Sequence, residues 1–182
     1  MIVTSITQKI ESLASEAGPF YRLAEKYYID MVEKESALAG IGEDDHILCV
    51  GGGCCPFSAI LFHRITKAKV TVIDNNADCI PKARKVIARL GLSEHIRVVF
   101  QDGCPPDIRD YSVIHLALQV FPMEKVIAEV ERRMSPGTKM LVRRPKKQLC
   151  CMYSKISNAT LAACSYITHK SRNVGSTFLY KF

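Results

Sequence analysis

The stretch HILCVGGGCCPFSAILFHR, residues 46–64, constrains the chain more than any other. A short apolar run leads into three glycines, and an apolar pattern of helical period follows. A strand, a glycine-rich turn and a helix in that order form a nucleotide-binding context. Gly51 and Gly53 let the backbone turn tightly and let a ligand approach it. Pro56 suits the first turn of the following helix, where a missing N–H breaks no hydrogen bond.

Strand and helix patterns then alternate. KVTVID (69–74), HIRVVF (95–100), YSVIHLAL (111–118) and the segment after SPGTKM read as strands. ADCIPKARKVIARLGL places Ile80, Ala83, Val86, Ile87 and Leu90 at helical spacing before Gly91, and MEKVIAEVERRM is a further helix. Such alternation predicts a parallel sheet covered on both faces. Two last strands, near 162–169 and 176–182, are too close in sequence for a crossover helix and must pair antiparallel. The expected fold is α/β, a Rossmann-like three-layer sandwich with a seven-stranded, mostly parallel sheet and one reversed strand near the C-terminus. A helix is expected over 146–157. Upstream, 3–16 and 20–38 read as two helices separated by SEAGP.

With 182 residues, one domain with a sizeable core is expected. No apolar run is long enough for a membrane span, and the mixed-charge N-terminus does not resemble an export signal, so a cytoplasmic protein is expected. The eight cysteines contain no C-x-x-C pair. They are read as reduced thiols packing as small apolar groups, with no metal site. Convergence of Cys54, Cys55 and Cys104 above the sheet is the competing reading. Charge is uneven: residues 135–182 carry nine Lys or Arg and no acid, leaving residues 1–134 at −2 of the chain's +7. That segment is either a solvated basic face or a surface for an anion.

Three nucleotide classes compete for the glycine turn. A P-loop requires a lysine that does not follow here. A dinucleotide fold wants a third glycine where Pro56 stands. S-adenosylmethionine (SAM) has no phosphate and escapes both objections. It requires an acid at the end of the second strand, and Asp74 stands 21 residues after Gly53. The competing role for Asp74 is a helix cap. The expected SAM contacts are Val50, Gly51, Gly52, Gly53 and Pro56 in the turn, Asp74 and Asn75 after the second strand, and Gln101, Asp102 and Gly103 after the third. Leu116, Ala117 and Leu118 are expected beside the methionine part.

These marks, with the SPGTKM turn and the final hairpin, resemble the class I SAM-dependent methyltransferase fold over about residues 40–182. VGGGCCPFSAILF is similar to the glycine-rich turn of nicotianamine synthases, with Cys54 and Cys55 replacing the usual proline and aliphatic residue. DYSVIHLALQV, LVRRPKKQLCCMYSK and VGSTFLYKF are similar in kind. YRLAEKYYIDMVEKESALAG resembles the aromatic helix that lids the site in that family, which implies a helical lid over 1–40 and a SAM-binding domain over 41–182. Nicotianamine synthases transfer the aminocarboxypropyl group of SAM rather than its methyl group.

The expected activity is SAM-dependent methyl transfer to a small amino- or carboxylate-bearing metabolite, with aminocarboxypropyl transfer as the alternative. A non-catalytic SAM-binding protein and an RNA methyltransferase are further alternatives. Tyr21, Tyr27 and Tyr28 are candidates to cover the sulfonium by cation–π attraction. The hydroxyl of Tyr27 or Tyr28, or the carboxylate of Glu25, would orient or deprotonate an amine. Arg143 and Arg144 are candidates to hold a substrate carboxylate. His115, inside a strand, is read as a core residue. Nucleic acid is not expected as partner, because no [DN]-P-P-[YF] tetrad follows the fourth strand. A homodimer fits an exposed N-terminal helix pair.

Overall fold

A computed structural model describes residues 18–102, 107–154 and 164–181. Helix α1 (Gly18–Ala39) leads into β1 (His46–Val50), α2 (Phe57–Thr66), β2 (Lys69–Asp74), α3 (Cys79–Arg89) and β3 (Ile96–Phe100). Next come β4 (Val113–Leu116), α4 (Met123–Arg133), β5 (Lys139–Pro145), a short 3-10 helix (Lys147–Met152), β6 (Ser165–Thr168) and β7 (Val174–Lys181). The seven strands form one sheet in the order β3-β2-β1-β4-β5-β7-β6. Every pairing from β3 to β5 is parallel, and β7 runs antiparallel between β5 and β6. The last two strands pair antiparallel as expected, and the reversed one is β7.

The central strands are continuous apolar runs because both faces are covered. On one face, α1, α2 and α3 bury Val32, Phe62 and Ile87 against Ile47, Val72 and Leu141. On the other, α4 buries Met123, Ile127 and Val130 against Leu48, Ile114 and Met140. Gly91, with φ +70°, ends the turn after α3 as its sequence position predicts. The order of strand addition reverses between the parallel strands β1 and β4, so a crevice opens beyond their carboxyl ends.

Two expectations change. The helix expected over 146–157 is a 3-10 helix of six residues with no buried side chain, so no packed face extends it. The helix expected over 3–16 lies outside the described residues. Cys54 and Cys79 are joined by a disulfide and are not free thiols. The glycine turn brings Cys54 against the first turn of α3, a proximity that sequence spacing does not reveal. Cys49 is a buried free thiol and Cys55 is buried beside the bond, whereas Cys104 lies outside the described residues. No helix among the described residues is long and apolar enough to cross a membrane.

Candidate active site

A cleft of about 590 Å³ lies over the carboxyl ends of β1, β2 and β4. That volume is in the range of small-ligand sites. Its floor is the glycine turn, which is held against β2 by Gly51 and Gly52 N–H groups donating to the Ile73 carbonyl at 2.9 and 3.3 Å. Gly51 has φ +82°. A Cβ on Gly52 would stand 2.1 Å from Val72 Cγ1, so no side chain fits there. The turn is therefore fixed by conformation at one glycine and by close approach at the next.

Asp74 joins the turn to the β2 end. Its Oδ2 accepts from Gly53 N–H at 2.7 Å, and its Oδ1 accepts from Asn76 N–H at 2.9 Å. Each oxygen keeps a second lone pair, and Asp74 still lines the cleft. Asn75 and Asp102 face each other at 3.5 Å across the same wall. Of the expected SAM contacts, Val50, Gly51, Gly52, Gly53, Pro56, Asp74, Asn75, Gln101, Asp102, Ala117 and Leu118 line the cleft. Leu116 does not; it is wholly buried in the α4-side core. Gly103 lies outside the described residues.

The opposite wall is aromatic. Tyr28 stacks on Phe57 with centroids 5.6 Å apart, and Tyr27 meets Tyr28 edge-on at 5.0 Å. All three line the cleft with Tyr153. The Tyr27 hydroxyl accepts from the backbone N–H of Arg172 at 3.1 Å, which ties α1 to the β6–β7 turn. Tyr21 lies in α1, and its side chain is not among those described. Glu25 does not line the cleft; it pairs with Arg64 on α2.

Behind the aromatic wall lies a buried polar cluster. Glu35, on α1 and with 0% exposure, accepts from Arg143 Nε at 2.8 Å and Nη2 at 2.7 Å. Thr177 Oγ1 donates to the same carboxylate at 2.6 Å, and Arg143 Nη1 donates to Ser58 Oγ at 2.8 Å. Arg143 and Thr177 are directly opposed in the β5–β7 pair, so one carboxylate reaches both. Burial raises the Glu35 pKa, but the charge and hydrogen bonds of Arg143, with His115 and Thr177, outweigh it and hold the carboxyl at about 2. His115 is 1% exposed and lies 3.8 Å from Glu35. Burial, and secondarily Arg143, lower its pKa to about 3, so the ring is neutral. Burial pushes the Cys49 thiol up to about 12, which leaves it protonated and inert.

These contacts correct both arginine assignments. The Arg143 fork is closed by Glu35, although the residue borders the cleft. Arg144 points to the other face by strand alternation, where it donates to the Tyr180 hydroxyl at 2.9 Å and lies over Phe178. Sequence reasoning missed Glu35, Ser58 and Thr177. A signal existed: Glu35 shares a helix face with Met31, Val32 and Ala39, where an unpaired acid would not be tolerated.

A family model described as nicotianamine synthase protein matches residues 4–169. The chain belongs to the nicotianamine synthase family. Membership makes it a SAM-dependent transferase. The crystal structure of MtNAS in complex with MTA and tNA superposes with a TM-score of 0.85 at 20% identity, covering 98% of this chain and 72% of that one. A point mutant of MtNAS in complex with S-adenosylmethionine gives 0.80 at 20% identity, covering 96% and 71%. An RNA methyltransferase from Salinibacter ruber, in complex with S-adenosyl-L-homocysteine, gives 0.67 at 19% identity, covering 84% and 90%. These likenesses establish the Rossmann-like fold shared by the nicotianamine synthase family and SAM-dependent methyltransferases. No curated protein matches the chain.

Proposed function

We propose that the protein transfers the aminocarboxypropyl group of SAM to an amine of a small, carboxylate-bearing acceptor. The observation that carries this reading is the extent of the family match. It covers residues 4–169, including the aromatic helix α1 and not only the nucleoside half of the cleft. The order of the two transfer reactions expected from the sequence is thereby reversed.

SAM fits the cleft on this chain's own features. The remaining Asp74 lone pairs take the ribose hydroxyls, and the rigid Gly51–Gly53 turn admits the backbone-close part of the ligand. SAM supplies a sulfonium that activates three carbons. The protein's task is to choose which carbon faces the acceptor, by placement at about 3–3.5 Å. Tyr27 and Tyr28 present ring faces and edges for the cation, worth about 0.5–2 kcal/mol. The Tyr28 hydroxyl is assigned to orient the acceptor amine. Lys125, which lines the cleft, replaces Arg143 as the cation for an acceptor carboxylate. Residues 1–40 act in this reading as the lid, with Tyr27 bonded to the β6–β7 turn as one of its anchors.

The test is product analysis after incubation with SAM and a panel of amino-acid and polyamine acceptors. Methylthioadenosine as the nucleoside product is expected. S-adenosylhomocysteine instead would establish methyl transfer, and turnover of neither would return the chain to a binding role.

A further inference from the structure

We propose that the Cys54–Cys79 pair is a thiol–disulfide exchange site that controls how tightly the cleft holds SAM. This rests on the SAM reading above. The bond joins two segments that form adjacent walls of the nucleoside site. Cys54 follows Gly53 directly in the floor turn, and Cys79 is the first residue of α3, five residues beyond Asp74. Across the same gap, Gly53 N–H donates to Asp74 Oδ2 at 2.7 Å. Besides the Gly51 and Gly52 bonds to Ile73, the end of the turn is thus fastened to the Asp74 loop by one covalent bond and one hydrogen bond. The hydrogen bond uses the carboxylate assigned to the ribose.

Opening the disulfide leaves hydrogen bonds alone to hold the end of the turn, from Gly53 N–H to Asp74 and from Gly51 and Gly52 N–H to the Ile73 carbonyl. The floor turn then gains freedom that binding must remove, and affinity falls.

The exchange needs an external thiol, and a small dithiol supplies it. An incoming thiolate enters through the cleft, which Cys79 lines, and attacks Cys79 Sγ; the S–S bond breaks and its electron pair leaves on Cys54 Sγ. The second thiol of the reductant then attacks the reductant's own sulfur in the mixed disulfide and releases Cys79. Two electrons and two protons pass to the protein, and the dithiol becomes a disulfide. Glutathione disulfide reverses the sequence. Cys79 lines the cleft. If SAM is held more tightly by the bonded form, linkage requires bound SAM to shift the exchange equilibrium toward that form by the same factor.

The experiment is calorimetric titration with SAM of protein equilibrated with glutathione disulfide or with dithiothreitol, the Cys54–Cys79 state being read by peptide mass spectrometry. Affinity is expected to fall about five- to twentyfold on reduction, within the usual range for coupled sites. The Cys54→Ala variant is expected to match the reduced protein under both conditions. Its thermal melt reports whether it is folded, and the wild-type pair of titrations stands independently of it. Equal affinity in both states, tighter binding on reduction, or a bond that glutathione disulfide never forms would each overturn the proposal. Binding to neither form would overturn the SAM reading itself, whereas equal binding to both forms leaves that reading intact.

Discussion

Arg143 and Glu35 meet fork to fork in the interior, with Nε on Oε1 at 2.8 Å and Nη2 on Oε2 at 2.7 Å. Removing one partner leaves a buried charge uncompensated, which costs about 3–5 kcal/mol. Glu35→Gln is expected to destabilise the protein by that amount in urea unfolding. The double variant Glu35→Leu with Arg143→Met is expected to lose less than the sum of the two single variants. Additive losses would mean that the pair contributes nothing as a pair.

The same cluster sets an acid limit. Glu35 titrates at about 2 against an ordinary 4.5, so its stabilisation is complete above about 4.5 and is lost as pH falls through 2. His115 titrates at about 3 against 6.5, so the unfolded chain gains a proton that the folded chain refuses. Stability is therefore expected to decline as pH drops from about 6.5 toward 3. Burial lowers His46 and His169 in the same direction. Urea midpoints between pH 7 and 4 should fall less steeply for His115→Gln than for the wild type. Parallel slopes would show that His115 is not held neutral.

At Gly52 the expected effect is steric. Gly52→Ala places a methyl group 2.1 Å from Val72 Cγ1, and overpacking of this kind costs about 1–3 kcal/mol. Adding Val72→Ala should recover part of the loss, because it removes the atom in the way. A double variant no better than the sum of its parts would place the fault in the backbone instead.

Asp74→Asn tests the nucleoside wall. The carboxylate accepts two backbone N–H groups, and an amide would turn a donor toward one of them. Losing a charged acceptor costs about 1.5–3 kcal/mol, so SAM affinity is expected to fall about ten- to a hundredfold by calorimetry. Unchanged affinity would confine Asp74 to bracing the turn.

Much of this architecture is legible in the residues. Apolar runs separated by helical periods specify the sheet, and the short gap before the last strand requires its reversal. The glycine turn and Asp74 identify the nucleoside wall. Strand parity is not legible where both faces are buried: nothing in VIHL says which side chains face the cleft, so sequence reasoning misplaces Leu116 and reads His115 only as core. Arg143 is identifiable as a site-edge residue, but its partner depends on how α1 lies against the β5–β7 register. The Cys54–Cys79 bond depends likewise on how deep the turn sits.

The position of β7 bears on how the chain is made. Thr177 donates to Glu35 across 142 residues of sequence, and β7 fills the gap between β5 and β6. During synthesis the helix carrying Glu35 leaves the ribosome long before its last partner exists. Its acid can pair with Arg143 once β5 has emerged, but it lacks the Thr177 hydroxyl until β7 arrives, so the packing of α1 on the growing sheet is incomplete until then. The nascent chain is therefore expected to remain a client of holding chaperones until its penultimate hairpin strand and β7 have both emerged.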